Sequence, residues 1–178
     1  MCTCCRICEG WHYVPGAQIF AACTVGDRTN SDMRLKTALG PKATRAGKYV
    51  TFRAHTTNVA KEKITVTDLT LAVQLPAGVS YTRSKASGNY LVRDVNKGTY
   101  SKSQPVQPVF NATTGVLAWT GLNFPPHKSI SVRARLQVGS NVAAGTQLLV
   151  QASLYQTLPV NGLPYCSRSP RDHTISVK

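Results

Sequence analysis

Acidic residues are scarce in this chain. Glutamate occurs only at Glu9 and Glu62, and seven carboxylates in all stand against 21 lysines and arginines, for a net charge of +14 over 178 residues. So few carboxylates leave little room for a paired acid/base site. Apolar runs are too short to form a transmembrane helix. The sequence has no G-x-S-x-G, G-x-x-x-x-G-K-[ST], G-x-G-x-x-G or H-E-x-x-H, so the hydrolase, nucleotide-binding and metalloprotease chemistries that depend on those spacings have no foothold. Charged residues make up only 16% against 42% apolar, which argues against intrinsic disorder. What the chain does have is β-formers. Valine (18) and threonine (19) together supply 37 residues, a composition that favours strands over helices and excludes an all-helical fold. The length suits one large domain with a single sizeable core.

Six cysteines are present: Cys2, Cys4, Cys5, Cys8, Cys23 and Cys166. An even count, with a cluster near one end and one cysteine near the other, reads first as disulfides. The pairing stays open, although a bridge between the neighbours Cys4 and Cys5 would be strained. A link from the cluster to Cys166 would tie the two ends together. The rival readings are free thiols, or a metal knuckle at Cys5 and Cys8 with Cys2, Cys4 and His12 nearby. A structural zinc site usually recruits a second knuckle, and none follows, so no metal and no cofactor is expected. Disulfides imply export, yet Glu9, Trp11, His12, Pro15 and Gln18 interrupt any apolar leader before Cys23, and no signal peptide is visible in the chain.

Residues 1–46 read as an irregular, cysteine-rich N-terminal arm that packs on the domain through Ile19, Phe20, Ala21, Val25 and Leu39. From 47 to 155 the pattern becomes period-two alternation, which puts apolar side chains on one face of a strand. Val50, Phe52 and Ala54 alternate with Thr51, Arg53 and His55. Ile64 and Val66 hold one register and Leu69, Leu71, Val73 and Leu75 the other, so a β-bulge is expected at Thr67–Asp68. Further strands are expected at 79–81, 90–95, 106–110, 116–120, 129–138 and 147–155. The clearest has Ile130, Val132, Ala134, Leu136 and Val138 facing the core and Arg133 and Arg135 facing water. Residues 156–178 form a C-terminal arm or a last strand at 173–178. Short strands divided by turn residues, with no helical period, give an all-β antiparallel sandwich.

Several motifs fall in a recognisable order: Val50-Thr51-Phe52 leading to Thr57-Asn58, Ile64-Thr65-Val66-Thr67-Asp68, Leu75-Pro76-Ala77-Gly78-Val79, Val116-Leu117-Ala118-Trp119, Ser129-Ile130-Ser131-Val132 and Ala144-Gly145-Thr146. This order resembles the immunoglobulin-like domain of unknown function that is repeated in prokaryotic cell-surface proteins, over residues 47–155. The resemblance implies a Greek-key sandwich serving as a structural or spacer module outside the cell, with no catalytic residues to carry over. The chain differs in its insertion of Leu69–Gln74 and in being basic and cysteine-bearing.

The strongest functional signal is the basic run. Arg34, Lys36, Lys42, Arg45, Lys48, Arg53, Lys61 and Lys63 fall within 30 residues, opposed only by Glu62. With Arg133 and Arg135 they are expected to form a surface for an anionic partner. A nucleic-acid module would interleave aromatics or present a recognition helix, and neither is seen. Acidic glycans or an acidic protein fit better. Asn111-Ala112-Thr113 is the sole N-glycosylation sequon, set in a turn. His12, His55, His127 and His173 are far apart and read as surface residues. Phe52, Tyr81 and Trp119 read as core, and Trp11, Tyr90 and Tyr100 as a weaker sugar-platform alternative. The expectation is a non-enzymatic extracellular structural protein, a homopolymer subunit of a cell-surface layer, appendage or fibre that assembles through its chain ends. A polyanion-binding module and a virion or nucleic-acid-associated coat protein are the alternatives.

Overall fold

The computed structural model describes residues 33–59, 65–83, 107–156 and 172–178, with the backbone alone at 91–94, 100–102, 155–156 and 166–168. Thirteen strands run through them. The first seven are β1 (Met33–Gly40), β2 (Ala43–Thr44), β3 (Tyr49–Asn58), β4 (Val66–Gln74), β5 (Val79–Thr82), β6 (Leu91–Asp94) and β7 (Tyr100–Lys102). The others are β8 (Val109–Asn111), β9 (Val116–Phe124), β10 (Lys128–Val138), β11 (Gln147–Gln156), β12 (Cys166–Arg168) and β13 (His173–Val177). Sheet I has the order β1-β3-β10-β6-β7, with β5 on the far end of β10, and sheet II the order β2-β13-β11-β4-β9-β8, with β12 on β11. The chain crosses repeatedly between the sheets, as an immunoglobulin-like sandwich requires.

Alternation builds the core. On β3, Val50, Phe52 and Ala54 are buried, and on β10 Ile130, Val132, Ala134, Leu136 and Val138 are. They meet Leu71, Val73, Leu117, Trp119, Val150 and Leu154 of sheet II in one cluster. Trp119 and Phe52 are core, as their patterning predicts, while Tyr81 packs on the core's margin.

The expected register change is present. Between Val66 and Leu69, β4 advances three residues while β9 advances two, and between Leu69 and Leu71 the imbalance reverses. Two bulges thus compensate each other and restore inward pairing at Leu71↔Trp119. Asp68 and Gly121 take the positive φ values of 56° and 65° there, and Asn123 Oδ1 accepts the Asp68 N–H at 3.1 Å.

The strand map corrects the sequence reading in several places. Met33–Gly40, read as irregular, is an edge strand: Met33, Leu35 and Leu39 are buried, and Arg34, Lys36 and Ala38 are exposed. Thr37, a polar residue at an inward position between Leu35 and Leu39, interrupts the apolar alternation and hides the strand in the sequence. Pro41 offers no N–H, which ends the ladder of β1. The chain then joins β13 at Ala43–Thr44 in a parallel pair, an exception to the expected antiparallel sheets. Strands β7 and β12 were not anticipated, because three residues show no periodicity. Of the two readings of the C-terminus, residues 173–177 form the last strand, which pairs with β11 and β2. Of the residues expected to pack the N-terminal arm on the domain, Ile19, Phe20, Ala21 and Val25 lie outside the described residues, and Leu39 is buried on β1.

Candidate anionic-partner surface

Strand alternation sends alternate side chains of β1, β3 and β10 to the outer face of sheet I, and the register sets them side by side. Arg53 stands directly opposite Arg133, and Arg135 lies one inward–outward repeat further along β10. On the other flank, Ala38 pairs with Arg53, Lys36 with His55 and Arg34 with Thr57. Five of the ten predicted cations, Arg34, Lys36, Arg53, Arg133 and Arg135, therefore share one face, and all five are exposed. Like charges directly opposite each other on adjacent strands cost stability, so the Arg53–Arg133 pair is not explained by folding alone.

Polar side chains knit the same face. His55 Nδ1 lies 2.7 Å from Ser131 Oγ and its Nε2 3.2 Å from Thr57 Oγ1. The Arg135 guanidinium sits 3.7 Å above the centroid of the Tyr49 ring, a cation–π contact that holds the cation against the sheet. Tyr49 was not singled out in the sequence, because its partner is set by cross-strand register. The acidic residues at described positions are few: Asp68 lies on β4 of sheet II, Asp172 just precedes β13, and Asp94 stands opposite Lys128 at one end of β6.

The remaining predicted residues are placed elsewhere. Lys42, Arg45 and Lys48 are exposed on the connection from β1 to β3. Lys42 borders a cleft of about 450 Å³ with Thr37, Ala38, Leu39, Asp172, His173 and Thr174. This cleft marks the seam where the edge of sheet I meets β13, and Thr37 Oγ1 bridges it at 2.8 Å to His173 Nε2. His55, His127 and His173 are half-buried. Lys61, Lys63, Cys2, Cys4, Cys5, Cys8, Cys23, Trp11 and Tyr90 lie outside the described residues. The backbone of Cys166 opens β12 opposite Tyr155. Asn111 is exposed at the end of β8, and its Oδ1 accepts the N–H groups of Thr113 and Thr114 at 3.0 and 3.2 Å, which shapes the turn into β9. Among the described residues no His/Cys/Asp/Glu group could hold a metal ion, and no helix is long and apolar enough to cross a membrane.

No protein-family model matches the sequence, and no curated protein matches it. Solved structures do match in fold. The major pilin subunit BcpA of Bacillus cereus, as its D312A variant, superposes with a TM-score of 0.57 at 12% identity, covering 82% of this chain and 40% of that one. The full-length major pilin SpaD of Corynebacterium diphtheriae gives a TM-score of 0.58 at 9% identity over 80% of this chain and 35% of its own. This chain therefore spans less than half of either pilin. AvmM, which catalyses macrocyclisation in alchivemycin A biosynthesis, also matches, with a TM-score of 0.43 at 13% identity over 84% and 91% of the two chains. That likeness is too distant to bear on function. The likeness to the pilins establishes the immunoglobulin-like fold, and a fold alone does not specify an activity.

Proposed function

We propose that the chain is a non-enzymatic, extracellular structural protein, a subunit of a surface layer, appendage or fibre that assembles with copies of itself. The observation that carries this reading is the fold, an immunoglobulin-like sandwich of the kind found in two major pilins. A sandwich leaves edges open to strand addition. Among the described strands β8 ends sheet II with β9 as its one partner, and Val109 on it is 67% exposed. Because residues 173–177 are already paired within the subunit, the cysteine-rich N-terminal segment is the arm we assign to a neighbour's edge, with disulfides as covalent locks.

Sedimentation and negative-stain electron microscopy of the full chain test the reading across a concentration series. Polymers that disappear on deletion of residues 1–26, leaving a folded monomer, are the expected result. A full chain that stays monomeric at high concentration refutes self-assembly. A deletion variant that still polymerises refutes the arm.

A further inference from the structure

We infer that the outer face of sheet I is a docking surface for a linear acidic polysaccharide, read by the row of cations Arg34, Lys36, Arg53, Arg133 and Arg135. The register turns these residues, scattered over 102 positions of sequence from Arg34 to Arg135, into a single diagonal. Strands lie about 4.8 Å apart and rise about 3.4 Å per residue. Arg34 pairs at Thr57 and Arg135 at Thr51, with β3 between them. The two ends of the row are thus two strands and six residues apart, or about 22 Å between Cα positions. Successive members are separated by about 5–8 Å. A row of that form matches an extended chain bearing anionic groups at regular intervals.

Three features favour a polysaccharide over other polyanions. Four of the five cations are arginine, whose planar fork pairs two N–H groups with the oxygens of a sulfate or carboxylate. Single-stranded nucleic acid would need aromatic platforms for its bases, and Tyr49, the one aromatic residue among the described side chains of this face, already has a guanidinium stacked on it. A protein partner would seek an apolar centre depleted of charge, whereas the centre here is the Arg53–Arg133 pair. The open sheet also suits a flexible chain laid across it. The inference does not rest on the structural role above, since polymerisation and polyanion binding are separate measurements.

The test uses the full chain and heparin as probe, with binding measured over a salt series. Each lost ionic contact lowers the slope of log K against log salt by about one. Arg53→Gln/Arg133→Gln should therefore lower the slope by about two and weaken binding at 0.15 M salt by about tenfold or more. Its melting temperature should not fall, because the substitution removes a like-charge pair. Arg34→Gln/Lys36→Gln should act in the same direction and decides the matter if the first variant misfolds. The control, Arg45→Gln/Lys178→Gln, removes the same net charge from exposed positions outside the row and should weaken binding much less. Equal losses in row and control variants overturn the inference, since net charge alone would then explain binding. Absence of heparin binding overturns it too, as does tighter binding of polyglutamate or a single-stranded oligonucleotide.

Discussion

Gly115 closes the turn between β8 and β9, and replacing it with alanine should be far more damaging than the same change at Gly121. Both glycines have positive φ, 69° and 65°, so each alanine carries the left-handed penalty of about 1–2 kcal/mol. Their surroundings differ. A Cβ at Gly121 meets nothing within 4 Å, whereas one at Gly115 comes within 2.7 Å of the Leu75 carbonyl oxygen and 3.1 Å of Gln74 Nε2. That carbonyl is held in place: the Leu75 N–H donates to Gly115 O at 2.9 Å, and Gln74 Nε2 donates to Leu75 O and Thr114 O. Relieving the clash disrupts about two of these bonds at about 1 kcal/mol each. Gly115→Ala should then cost about 3–4 kcal/mol and Gly121→Ala about 1–2 kcal/mol. For a domain of this size that is a drop in Tm of about 6–16 °C against about 2–8 °C. Urea unfolding followed by circular dichroism, with an unchanged m-value, measures the difference. Asparagine, which tolerates the left-handed region, should restore most of the loss at 121 and little at 115. Equal costs at the two positions would refute the close approach of the turn to Leu75.

Truncating the largest core side chain, Trp119→Ala, should cost about 3–5 kcal/mol by the same urea assay, since Trp119 is 1% exposed; a loss below about 1 kcal/mol would place it outside the core. In a host that glycosylates asparagine, Thr113→Ala should remove any glycan mass at Asn111 while changing stability by no more than about 0.5 kcal/mol, because the Asn111 Oδ1 bonds go to backbone N–H groups. Mass spectrometry without reduction should show at least two of the three bridges that six cysteines allow, and six alkylatable thiols in native material would refute disulfides.

Composition and periodicity by themselves determined the fold class, most of the strands and the core. Strands such as β3 and β10 declare themselves because one side faces the core and the other water over 10 and 11 residues, long enough for alternation to stand out. The bulge at Asp68 was legible for the same reason: the apolar set changes face once, and one extra residue is the cheapest cause. Strand β1 is not legible in the sequence, since polar Thr37 interrupts its apolar pattern, and β7 and β12 are too short to carry one. The functional surface was legible only as an inventory. Sequence supplied ten cations without saying which lie together. Cross-strand register alone decided that Arg53 faces Arg133, that Lys36 and Arg34 extend the row, and that Tyr49 lies beneath Arg135, while Lys42, Arg45 and Lys48 are held on the connection from β1 to β3. Pairing between strands is a long-range choice, made by the fit of two sheets around one core. Charges on the wet side contribute little to that choice, so their arrangement is a product of the fold that no local pattern records.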